Sequence, residues 1–144
     1  MNLHASTVAL PAECGRMARA VLILGPSGAG KSELALQLVA MGARLVADDR
    51  TLLALRNRRL VATVPPQIRG MIEVRGIGIL RLPTEAEAEV ALAVDLGCRE
   101  TARMPPPRRF AALGVSVPLL HAVDTVCFPA AVMLYLRNER SDAE

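Results

Sequence analysis

Lysine is almost missing from this sequence: the 17 basic side chains are 16 arginines and a single lysine, Lys31. Tryptophan is absent, and Phe110, Phe128 and Tyr135 are the only aromatic residues. That excludes a stacked-aromatic platform for single-stranded nucleic acid. The arginines are scattered and do not form a stripe, so the net charge of +3 reads as a mixed solvated surface, and no nucleic-acid partner is expected. The densest basic group, Arg56, Arg58 and Arg59, falls in an expected turn where an acidic partner could meet it. Long apolar runs are also lacking. The longest late one, Val126 to Leu136, is too short to cross a bilayer and is broken by Pro129. No basic flank with an apolar core opens the chain. A cytoplasmic protein with no membrane partner is therefore expected. Cys14, Cys98 and Cys127 are odd in number and form no C-x-x-C pair, which fits reduced thiols, expected to be buried and structural.

What is present is aliphatic: 52% of the 144 residues are apolar, interrupted throughout by charges and turn formers. This predicts one α/β domain over 1–144, with 137–144 as a frayed tail. Strands are expected over 4–10 and 18–24, joined by a loop at Pro11 to Arg16. Leu34, Leu38 and Met41 recur at helical spacing after Lys31, with Gly42 as the stop. A short strand over 43–47 then ends at Asp48-Asp49, followed by a hairpin over 51–55 and 60–64. Further strands are expected over 71–75, 77–82 and 90–96, with Glu85, Glu87 and Glu89 as a solvated edge. Three prolines make 104–109 a surface loop, and 126–137 reads as a terminal helix with Pro129 in its first turn.

Between the second strand and the first helix, Gly25-Pro26-Ser27-Gly28-Ala29-Gly30-Lys31-Ser32 matches G-x-x-x-x-G-K-[ST] in full. In such a loop the backbone curls so that successive amides face phosphate oxygens, and the helix adds its positive end. Lys31 would place a point charge on the outer phosphates of ATP, and the Ser32 hydroxyl would complete the shell of a magnesium ion. An accidental match is expected on the order of once in a few thousand sequences of this composition. The lone lysine sits where a planar guanidinium does not fit, although arginine is preferred everywhere else.

Phosphoryl transfer also needs a metal-holding carboxylate and a proton acceptor. Asp48 and Asp49 end a strand at the side where ligands bind in open α/β sheets. On an extended strand they would point to opposite faces and so do different work. Glu73 is a charge set among apolar residues, which calls for a partner such as an ion or Arg75, or else for an exposed edge strand. His4 titrates near neutral pH and is either a proton shuttle or a surface residue.

Together these pieces resemble the catalytic domain of HPr kinase/phosphorylase, which phosphorylates a serine of the phosphocarrier HPr in the phosphotransferase system. Three blocks carry the resemblance: Gly-Pro-Ser-Gly-Ala-Gly-Lys-Ser-Glu, then Arg-Leu-Val-Ala-Asp-Asp, then Glu-Val-Arg-Gly-Ile-Gly-Ile. Spanning roughly residues 2–120, it implies a P-loop on a mixed sheet, Asp49 as proton acceptor, Ser32 and Glu73 around magnesium, and His4 at the active-site histidine. The chain looks like the short form, without the N-terminal domain. The family's C-terminal Pro-Gly-Arg-Asn segment has no clear counterpart, so the resemblance carries the kinase reaction further than its reversal. It leaves the oligomeric state open, a homo-oligomer included. A small-molecule kinase and a non-catalytic nucleotide sensor remain the alternative readings.

Overall fold

In the computed structural model, which describes residues 1–138, the chain runs β1 (Asn2–Leu3), β2 (Ser6–Leu10), β3 (Arg19–Leu24), α1 (Lys31–Ala40), β4 (Arg44–Ala47), β5 (Thr51–Arg56), β6 (Arg59–Thr63), β7 (Met71–Val74), β8 (Gly78–Arg81), β9 (Ala88–Arg99), β10 (Arg109–Ala112), β11 (Val115–Ala122) and α2 (Phe128–Asn138). The main sheet is mixed, in the order β1-β5-β6-β9-β3-β2-β4. β9 pairs along one edge with β3, in parallel. Its other edge is shared, with β6 antiparallel at Ala88 and Glu89 and β11 parallel from Ala93 onward. Two apolar layers follow. Leu34, Ala35 and Leu38 of α1 pack with Val132, Met133 and Leu136 of α2 and with Val21 and Ile23 on one face of the sheet. Leu22, Val46, Leu53, Leu60 and Val117 fill the other.

Topology decides what meets at one end of this sheet. β2 is antiparallel to both β3 and β4, so the start of β2 and the carboxyl ends of β3 and β4 lie together. The sheet also curls, because β5 returns to touch β2: the Thr51 hydroxyl donates to the Ala5 carbonyl at 2.9 Å and lies 2.8 Å from Thr7 Oγ1. Thr51 has spent its proton on Ala5, so Thr7 is the donor between them. Both threonines are fully buried, and this pair pins the residues just after Asp49 to those just after His4.

Several expectations change. Glu85, Glu87 and Glu89 do not form a free edge: they face Arg44, Arg56 and Arg59 at 3.9, 2.7 and 3.5 Å, and Glu89 lies inside β9, the most connected strand. All three cysteines are exposed, not buried, because each lies in a loop or beyond the covered part of its strand. Arg137 and Asn138 belong to α2 and not to a tail, while 139–144 lie outside the described residues. β10 and β11 are not announced by the pattern, because Pro118 interrupts it. That proline sits where the pairing of β11 passes from β10 to β9, the one position in the strand where a missing N–H costs little.

The proline loop before β10 is closed by Glu100, which takes two bonds from Arg108 at 3.1 and 3.0 Å and two from the amides of Thr101 and Ala102. The Arg108 hydrogen bond is the main reason its carboxyl is pulled down to about 2. A carboxylate lowered by folding stabilises the fold above its ordinary range, so this clamp holds through mild acid and is lost as pH falls through about 2.

Candidate functional site

The glycine-rich loop 25–32 springs from the end of β3. Gly25 has φ +147, and a Cβ there would stand 3.1 Å from that of Ala29. Gly30, at φ +101, is the N-cap of α1 and supplies no side-chain cap. The first amides of the helix are therefore left for a ligand or water. Lys31 is 6% exposed, and its ammonium donates to the carbonyls of Gly25 at 2.8 Å and Pro26 at 3.1 Å. The loop is thus folded around its own lysine.

Beside it runs one continuous hydrogen-bonded chain. Ser32 Oγ donates to Asp48 Oδ1 at 2.7 Å, and Ser6 Oγ donates to the same oxygen at 2.8 Å. Ser6 in turn accepts the Asp49 amide at 3.1 Å. His4 Nε2 lies 2.6 Å from Asp49 Oδ1, which places the ring proton on Nε2. His4, Asp49, Ser6, Asp48 and Ser32 form a single network that reaches the first turn of α1.

The two carboxylates do point different ways, but not by strand alternation. β4 ends at Ala47, and Asp49 adopts φ +70, a left-handed conformation that aspartate tolerates better than most side chains. That turn swings Asp49 out to His4, where both are well exposed, while Asp48 stays under the loop. Glu73 is exposed on β7, which pairs only with β8 and packs beside α1. It makes no side-chain bond to Arg75 or to the loop among the described residues, and Asp48, not Glu73, holds the Ser32 hydroxyl.

Two residues of this region escape the sequence pattern. Ser6 is fully buried and joins the two aspartates, yet a serine opening an apolar strand carries no local signal. Asp95 stands level with Leu24 across the β3–β9 pair and accepts the Gly97 amide at 2.8 Å, while Gly97 packs against Pro26. An Asp-x-Gly at the end of an apolar run was the available sign. Cys98 donates to the other Asp95 oxygen at 3.5 Å, and that carboxylate's charge is the main cause pushing the thiol up. Asp95→Asn is expected to make Cys98 alkylate severalfold faster at pH 8, followed by mass spectrometry of the peptide.

A magnesium ion and ATP can be tested against this donor set. Magnesium takes hard oxygen ligands, usually one or two carboxylates with phosphate and water. Ser32 and Asp48, already sharing a proton at the mouth of an uncapped helix, fit that demand. No group of three or more His, Cys, Asp or Glu side chains suited to a metal occurs among the described residues.

Comparison with known proteins agrees in one direction. The family model for the HPr serine kinase C-terminal domain matches residues 16–88. The HPr kinase/phosphorylase of Limosilactobacillus reuteri is 51% identical over 65 residues, covering 44% of this chain and 20% of the relative. That of Geobacillus kaustophilus is 35% identical over 113 residues, covering 73% of this chain and 35% of the relative. The matched stretch thus spans between a fifth and about a third of these relatives. The solved structure of the Hpr(Ser) kinase/phosphatase from Coxiella burnetii superposes with a TM-score of 0.77 at 28% identity, covering 99% of this chain and 97% of that one.

Proposed function

The chain belongs to the HPr serine kinase C-terminal domain family, and from that premise we propose that it is a magnesium-dependent protein kinase transferring the γ-phosphate of ATP to a serine of HPr. The observation that supports this most is the unbroken run from His4 through Asp49, Ser6 and Asp48 to Ser32, which sets a proton acceptor and a metal-facing carboxylate on opposite sides of one buried serine. On this reading the amides of Gly28 to Ser32 wrap the phosphates, and Lys31 exchanges its loop carbonyls for phosphate oxygens. Ser32 and Asp48, with Glu73 in support, would hold magnesium, which when bound would supply positive charge beside the phosphates. Asp49 takes the serine proton while the His4 Nε2–H bond fixes the carboxylate's orientation.

A protein acceptor suits the open surroundings: the β7–β8 ribbon leaves Ile77 at 72% and Ile79 at 69% exposure. Labelled ATP, magnesium and HPr should yield one phosphoserine on HPr. Label on a small molecule alone, or none, would refute the proposal. Ser32→Ala and Asp48→Asn should each raise the magnesium concentration for half-maximal rate roughly tenfold. Glu73→Gln should raise it too, and an unchanged titration would leave Glu73 without a metal role.

A further inference from the structure

β9 runs parallel to β3, so its carboxyl end lies beside the strand end from which the glycine-rich loop springs. Asp95 is the last residue of β9 paired on both edges, opposite Leu24 of β3 and His121 of β11. The ladder to β11 then slips: Ala122, the residue after His121, lies opposite Arg99, so 96–98 bulge out of the strand. A bulge re-aims the backbone it displaces. Here it is turned against the loop.

The approach is close from both sides. A Cβ at Gly97 would stand 3.0 Å from Pro26 Cδ and 3.1 Å from Asp95 Oδ1, and a Cβ at Gly25 would stand 3.4 Å from both the Gly97 amide nitrogen and Leu96 Cβ. Gly97 does not hold a left-handed backbone, so it is glycine for room and not for conformation. Gly25 and Pro26 are the two residues whose carbonyls seat the Lys31 ammonium, at 2.8 and 3.1 Å, and Pro26 also accepts the Ala29 amide at 3.1 Å. The bulge has its own tie. Asp95 Oδ1 accepts the Gly97 amide at 2.8 Å, and Oδ2 accepts the Cys98 thiol at 3.5 Å. A chain of contacts therefore runs from the Asp95 carboxylate through Gly97 and the first two loop residues to Lys31.

We propose that Asp95 is a positioning residue for nucleotide binding: its carboxylate holds the 96–98 bulge as a backstop, the backstop fixes the Gly25 and Pro26 carbonyls, and these keep Lys31 aimed at the phosphates. Asp95 works through the loop alone, by setting its geometry before a nucleotide arrives. The proposal rests on the reading of that loop as the ATP site, but its first test needs no nucleotide.

Amide hydrogen exchange in the nucleotide-free chain reads the loop directly. In Asp95→Ala, and in Gly97→Ala where the added Cβ presses on Pro26, protection of the Ala29 amide should fall roughly tenfold while the core amides of Val21 to Ile23 keep theirs. Asp95→Asn retains an oxygen for the Gly97 amide and should keep wild-type protection at Ala29. Unchanged protection in Asp95→Ala, an equal loss at Val21 to Ile23, or a loss in Asp95→Asn as large as in Asp95→Ala would overturn the proposal. ATP affinity is the second measurement: Kd should rise about tenfold in Asp95→Ala and Gly97→Ala and stay near wild type in Asp95→Asn. If the wild-type chain and all three variants bind ATP alike, the positioning role is overturned and the ATP site stands. If the wild-type chain binds no ATP, the reading of the loop falls, and the exchange result alone decides whether Asp95 shapes it.

Discussion

Asp49→Asn is expected to bind ATP as the wild type does and to phosphorylate HPr roughly a hundredfold more slowly, the span usual for loss of a general base. The structure makes this a clean substitution. Asparagine keeps the size and the left-handed turn at φ +70, a conformation it also tolerates. The Asp49 amide stays on Ser6, and an amide oxygen still accepts the His4 Nε2–H bond. Only basicity and charge are lost. Asp48→Asn makes the contrast, because its oxygen still accepts from Ser6 and Ser32 and the loss falls on metal affinity. Single-turnover phosphorylation and ATP affinity, measured for both, separate the roles. A near wild-type rate in Asp49→Asn with a failed Asp48→Asn would reverse the assignment, and two fully active variants would move the site elsewhere.

Lys31→Ala should lose nucleotide-dependent activity by at least about a hundredfold, and Lys31→Arg should fail as well. Lys31 is 6% exposed, and its ammonium is seated between two carbonyls of its own loop, at 2.8 and 3.1 Å. A compact point charge can pivot there from carbonyl to phosphate, whereas a planar fork needs a wider seat. Removing the charge also strips both carbonyls of a donor, so Tm should be recorded beside activity. Full turnover of Lys31→Arg at saturating ATP would sink the proposed role.

Much of this was legible in the residues because its causes are local. Strand, loop and helix from Arg19 to Ala40 follow from an apolar run, glycines at fixed offsets and a helical spacing of leucines. The hairpin of β5 and β6 and the ribbon of β7 and β8 follow from alternation around turn residues. The first turn of α2 follows from Pro129. By themselves, then, the residues determined that an α/β chain would carry a phosphate-loop motif followed by an Asp-Asp pair.

Only the tertiary structure decided what the pair touches. His4 and Asp49 are 45 residues apart, and Ser6 and Asp48 are 42 apart. They meet because β2 runs antiparallel between two parallel neighbours and the sheet curls back through Thr51, facts of long-range pairing that no local window contains. The same reason explains the misplaced cysteines and the acidic stretch. Burial of Cys14 or pairing of Glu89 depends on which strand lies alongside, and a side chain's type records its own preference but not its neighbour.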